Sequence, residues 1–108
     1  MVESTAALTI DRLAALAQPH RLAVFRLLVA AGPDGLTAGE IAVRLELPAS
    51  SLSFHLAHLK RAGLAVQRRD GRSLRYSADF AAMAALVGYL TENCCGGVPC
   101  GATGEDIA

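Results

Sequence analysis

Residues 37–63 read TAGEIAVRLELPASSLSFHLAHLKRAG, and they divide at Leu47-Pro48 into two short helical patterns. The first opens with Thr37 and Glu40 at the spacing of a capping box, in which a hydroxyl and a carboxylate satisfy the exposed backbone donors of a helix start. Ile41, Ala42 and Leu45 give it an apolar side. The second runs from about Ala49 to Ala62, turns Leu52, Leu56 and Leu59 inward at helical spacing, and stops at Gly63. Its other side carries Ser50, Ser51, Phe54, His55 and His58, an outward face that solubility alone does not call for.

Upstream, Leu8, Leu13, Leu16 and Ala17 recur at roughly helical spacing, and Gln18-Pro19 ends that helix because the residue before proline avoids the α region. Pro19 opens a second helix, with Leu22, Phe25, Leu28 and Val29, that ends near Ala31 before Gly32-Pro33-Asp34-Gly35. Downstream, the alternating segments 64–69 and 73–77 bracket Asp70-Gly71-Arg72, and Asp-Gly in that setting signals a β-hairpin. From Asp79 to about Asn93 a last helix presents Phe80, Met83, Leu86, Val87 and Leu90. It is apolar nearly all round, so it needs cover, which a second copy supplies most cheaply across a two-fold axis together with the first helix. The expected fold is mainly α with a small β-hairpin: a winged helix-turn-helix, homodimeric through its first and last helices. Residues 1–93 then form the DNA-binding and dimerisation domain, and residues 94–108 a C-terminal tail.

A chain of 108 residues holds one domain, and 53% hydrophobic with 19% charged residues excludes a disordered chain. No apolar run reaches membrane-spanning length. Ten basic residues balance ten acidic ones, yet residues 60–75 hold Lys60, Arg61, Arg68, Arg69, Arg72 and Arg75 against Asp70 alone, a local +5 that the rest of the chain offsets. On a hairpin that follows a helix-turn-helix, such charge points to the phosphates of double-stranded DNA. Ser50, Ser51, Phe54 and His55 are assigned to groove contact, and Ser53, His58, Lys60, Arg61, Arg68, Arg69 and Arg72 to backbone contact or the wing. The alternatives are that Ser50 or Ser51 caps its helix, that His55 and His58 are core-edge or solvated residues, and that Arg75 braces the hairpin. Catalysis is not expected, since no acid stands where it would orient a histidine toward a serine. A thiol buffer on a winged-helix scaffold is the other class of function considered. The N-terminus shows no secretory or transit signal, so the expected compartment is the cytoplasm. There, Cys94, Cys95 and Cys100 make a poor disulfide framework, and metal, metalloid or redox chemistry suits them better.

Residues 36–65, followed by Arg69-Asp-Gly-Arg-Ser-Leu-Arg-Tyr76, closely resemble the ArsR/SmtB family of bacterial metalloregulatory repressors. Residues 16–28 resemble that family's entry into its second helix. The resemblance implies a homodimer that sits on an inverted-repeat operator and lets go when an inducer binds. Two family sites are missing: the stretch Glu40–Leu45 lacks the Cys-x-Cys pair of many arsenite-sensing members, and the last helix has Asp79 and Glu92 but no histidine for zinc. Cys94-Cys95-Gly-Gly-Val-Pro-Cys100 instead resembles the C-terminal arsenite site of a subset, which implies that these three cysteines bind As(III) or Sb(III) as inducer. The chemistry agrees. Thiolates are soft ligands, and trivalent arsenic takes three sulfurs in a pyramid whereas zinc normally wants four ligands. A zinc, cadmium or lead site that recruits Glu92 or the other subunit, a disulfide switch, and a functionless tail are the alternatives for these cysteines.

Overall fold

The computed structural model describes residues 2–99, with side chains from Thr5 onward. Its elements are α1 (Val2–Leu16), α2 (Pro19–Ala31), β1 (Leu36–Thr37), α3 (Ala38–Leu45), α4 (Ala49–Arg61), β2 (Ala65–Asp70), β3 (Ser73–Ala78) and α5 (Phe80–Thr91), followed by a single 3-10 turn, Cys94–Gly97. Most of the boundaries have a local cause. Gln18 caps α2, its side chain accepting from Arg21 N at 2.8 Å, with Pro19 in the first helical position where a missing N–H costs nothing. Thr37 and Glu40 form both arms of the expected box: Thr37 Oγ1 accepts from Glu40 N at 3.2 Å and Glu40 Oε1 accepts from Thr37 N at 2.8 Å. That backbone donor, more than anything else, holds the Glu40 carboxyl below its ordinary value. Asp79 caps α5 by accepting from Ala82 N at 3.0 Å.

The core gathers around α2. Val24 and Leu28 from α2, Ile41 from α3, Leu52, Leu56 and Leu59 from α4, and Leu64 leading into β2 are fully buried. Burying a leucine stabilises by roughly 1.5–3 kcal/mol, so the α4 triplet alone sets how that helix is rotated. The helix-turn-helix and hairpin stand as expected, with one addition. The sheet has three strands, not two, in the antiparallel order β1-β3-β2, with Leu36 and Gln67 both opposite Tyr76. A two-residue strand is too short to leave a period in the sequence, and β1 exists because the preceding loop is pinned to β3.

Gly35 does the pinning on the backbone side. Its φ is +70°, and a Cβ built there would overlap the Tyr76 carbonyl oxygen. Gly71, at the hairpin tip, has φ +64° but nothing within 4 Å. Gly71→Ala is therefore expected to cost only the left-handed backbone penalty of about 1–2 kcal/mol, whereas Gly35→Ala should cost distinctly more, because backbone must move as well. Urea unfolding of the two variants checks the order; equal losses would mean that β1 yields freely.

Candidate nucleic-acid interface and cysteine tail

With Leu52, Leu56 and Leu59 buried, the rest of α4 is placed by subtraction. Ser50, Ser51, Ser53, Phe54, Ala57, Lys60 and Arg61 are exposed, and Phe54 is 80% exposed, a large hydrophobic that the fold leaves in water. The N-cap of α4 is Pro48 and no side chain caps it, so neither Ser50 nor Ser51 is engaged as a cap. Their hydroxyls stand at the N-terminal end of the exposed face, where a helix entering a major groove meets base edges.

His55 and His58 depart from the expected outward placement. His55 lies roughly 60° around the helix from Leu52, half-buried, with its ring 5.5 Å from the ring of His20 in the first turn of α2. Its Nδ1 is buried and makes no hydrogen bond. His58, also half-buried, lines a cleft of about 240 Å³ with Asp11 and Ala14 of α1 and with Arg61 and Ala62. Burial, then the nearby positive charge of His20, Arg21 and His58, pushes the His55 imidazole below its ordinary value. Burial, Arg21 and Arg61 do the same to His58. His20 was absent from the sequence-based set, since a histidine 35 positions upstream gives no local sign of where its ring will sit.

The basic wing is divided between bracing and display. Arg68 donates from Nη1 to Pro33 O and from Nη2 to Asp34 O, both at 3.0 Å, while Arg75 donates from Nε to Asp34 O at 3.0 Å and from Nη2 to Gly35 O at 2.9 Å. Arg68, assigned to DNA contact from the sequence, has its guanidinium on the 33–34 carbonyls, sharing one face of the hairpin with Arg75 opposite it. Arg75, for which bracing of the hairpin was the alternative, braces the 34–35 loop against β3. Lys60 is occupied too, donating from Nζ to Gln67 Oε1 at 2.7 Å, and Gln67 Nε2 donates to Tyr76 Oη at 2.9 Å. This chain of contacts ties the end of α4 to the hairpin. Arg69 and Arg72, exposed near the tip, have no hydrogen bond or ion pair among the described residues.

α1 is fastened to this unit by arginine at two helix ends. Arg12 donates from Nε to Ala62 O at 3.1 Å, and Arg21 from Nε to Ala15 O at 2.7 Å. A guanidinium on a C-terminal carbonyl is favoured by the helix dipole. Away from these contacts α1 and α5 expose apolar side chains, among them Leu8, Leu13, Val87 at 55% and Leu90 at 58%.

The tail follows α5 after Glu92 and Asn93. Cys94 and Cys95 are exposed on the 3-10 turn, with their sulfurs 3.9 Å apart, well beyond S–S bonding distance. Cys95 is disulfide-bonded. Cys100 lies outside the described residues, and among the described residues no three His, Cys, Asp or Glu side chains converge as a metal site.

A family model for a helix-turn-helix domain matches residues 16–68. The transcriptional activator HlyU of Vibrio cholerae is 33% identical over 89 residues, covering 82% of this chain and 80% of its own. The chain is a member of the ArsR/SmtB family of transcriptional regulators. It superposes on an ArsR-like transcriptional regulator from Rhodococcus with a TM-score of 0.73 and 28% identity, covering 81% of this chain and 79% of that one. A structure described as a "Possible transcriptional regulator for arsenical resistance" matches with a TM-score of 0.64 and 31% identity, over 74% and 80% of the two chains. The regulator is thus a DNA-binding winged-helix protein and not an enzyme.

The two depressed imidazoles give the regulator a pH dependence of known sign. The unfolded chain restores both to the ordinary value of 6.5, so below about that pH it binds more protons than the folded one. Stability should therefore fall as pH drops through the mid-sixes. Thermal unfolding between about pH 7.5 and 5.5 should show this slope in the wild type and a flatter one in His55→Gln; equal slopes would contradict the placement of His55.

Proposed function

We propose that the regulator is an arsenite-responsive repressor, acting in the cytoplasm as a homodimer on an inverted-repeat operator and released when As(III) or Sb(III) binds Cys94, Cys95 and Cys100. The observation that carries the reading is the vicinal pair at the end of α5, exposed and with its sulfurs 3.9 Å apart, one short turn beyond a helix with an exposed apolar face. A thiol reductant first opens the disulfide at Cys95, two electrons and two protons per bridge; in the reduced protein three thiols then replace the three hydroxyls of arsenous acid and release three waters, and that binding step leaves oxidation state unchanged. The 31% identical regulator described for arsenical resistance supports this choice of inducer.

In the proposed dimer α1 and α5 of each protomer cover one another's apolar faces. Ser50, Ser51 and Phe54 enter the major groove and Arg69 and Arg72 neutralise phosphates, with Arg61 and Ser53 beside them. The two α4 helices must then meet half-sites roughly 34 Å apart. Drawing Cys94, Cys95 and Cys100 together around a metalloid changes how the α5 pair packs, and Arg12 on Ala62 O transmits α1 movement to the end of α4.

The disulfide at Cys95 favours a second reading, in which thiol oxidation through the same cysteines is the signal. A zinc, cadmium or lead site there belongs to the same test. Dissociation from the chain's own upstream DNA, titrated with arsenite, antimonite, zinc and cadmium, with and without a thiol reductant, separates these readings. Cys94→Ser and Cys100→Ser should keep operator binding and lose arsenite-driven release. Unaltered release by Cys100→Ser would reject the three-sulfur site. Arg69→Ala should weaken binding to every duplex and lower the salt slope by about one unit, while Ser51→Ala should mainly change sequence preference. Anisotropy titrations over a range of salt concentrations check both.

A further inference from the structure

All three histidines of the chain, His20, His55 and His58, meet on one flank of α4. The opposite flank is led by Lys60, whose ammonium reaches Gln67 and through it the wing. Between them lies the exposed stripe of Ser50, Phe54, Ala57 and Arg61. A helix lying in the major groove runs between two phosphate strands about 12 Å apart. The wing flank offers Arg69 and Arg72 to one strand. The other strand faces the histidine flank, where Arg21 is committed to Ala15 O.

We propose that His20, joined by His55 and His58, grips this second phosphate strand and takes up protons as it does so. The inference rests on DNA binding by the family and not on arsenite sensing. His20 lies outside the set assigned to DNA from sequence, and its exposed ring extends the interface onto α2.

The charges facing this flank fix the sign. From α2 come His20 and Arg21; from α4, His58 and Arg61; from α1, Arg12, bound to Ala62 O, and the carboxylate of Asp11, which shares the cleft with His58 and Arg61. Around His55 the neighbours named are all cationic or can become so, and with burial they keep its imidazole neutral at pH 7. A phosphate against the flank reverses that balance: it offsets the repulsion and accepts imidazolium N–H bonds. Protonation is then easier in the complex than in the free protein, and by linkage DNA binding strengthens as pH falls. Protonation of the free protein has the contrary tendency to part α2 from α4, so experiment distinguishes the two.

The test is binding of the full-length reduced protein to a short random-sequence duplex at fixed ionic strength, between about pH 8 and pH 6, where imidazoles titrate and carboxylates do not. The wild type should bind roughly tenfold tighter at the acid end for each proton taken up. His20→Gln should lose at least half of that gain, whereas Arg69→Ala should bind more weakly at both ends and keep it. The His20 imidazole, followed by NMR, should titrate at higher pH with duplex than without. Affinity that is flat or weaker in acid, a His20→Gln slope equal to wild type, or a His20 titration unmoved by DNA would each overturn the proposal. Thermal melts of His20→Gln at both pH values separate loss of the contact from loss of the fold.

Discussion

The packing of Leu52, Leu56 and Leu59 against α2 is the constraint from which the functional surface follows. Among the described residues no side chain caps α4 at its N-terminus, where Pro48 stands. What fixes its rotation is that three leucines spaced over two turns all reach the pocket formed by Val24, Leu28 and Ile41. The serines, Phe54 and Arg61 face solvent as a result of that burial, while His55 turns toward α2 and His58 toward α1. A change in core shape would therefore re-aim the exposed face even though no residue on it had been altered.

Around this apolar centre the arginines are used in two ways. Arg12, Arg21, Arg68 and Arg75 spend donors on main-chain carbonyls at helix ends and in the 33–35 loop. A planar guanidinium with five donors can hold two carbonyls at once, which a lysine cannot do with the same geometry. Arg69 and Arg72 stay outside that framework. The local excess of positive charge thus splits into a share that builds the wing and a share that the wing displays.

Much of this was legible in the sequence where the cause is local. Pro19, the Thr37 and Glu40 box, Asp70-Gly71 and Asp79 each act within a few residues, and the helices and hairpin lie where those residues put them. The resemblance to the family extended that reading to the arrangement of the elements. What the sequence hid depends on distant pairings. Strand β1 exists through contacts with β3 nearly forty residues on, Arg68 and Arg75 find carbonyls 34 to 41 positions away, and His20 meets His55 across a similar gap. A helical wheel drawn for α4 alone shows His55 at the margin of the apolar arc; only the position of α2 decides that the margin is covered.

The link from Lys60 through Gln67 to Tyr76 has a mechanical consequence. Because the groove-facing helix and the hairpin are latched together, they travel as a single reading head with little internal play. A signal arriving from the opposite end of the molecule has no soft joint to bend within that head. In the proposed dimer it acts as the screw of a calliper acts, altering the gap between two stiff jaws while the shape of each jaw stays the same.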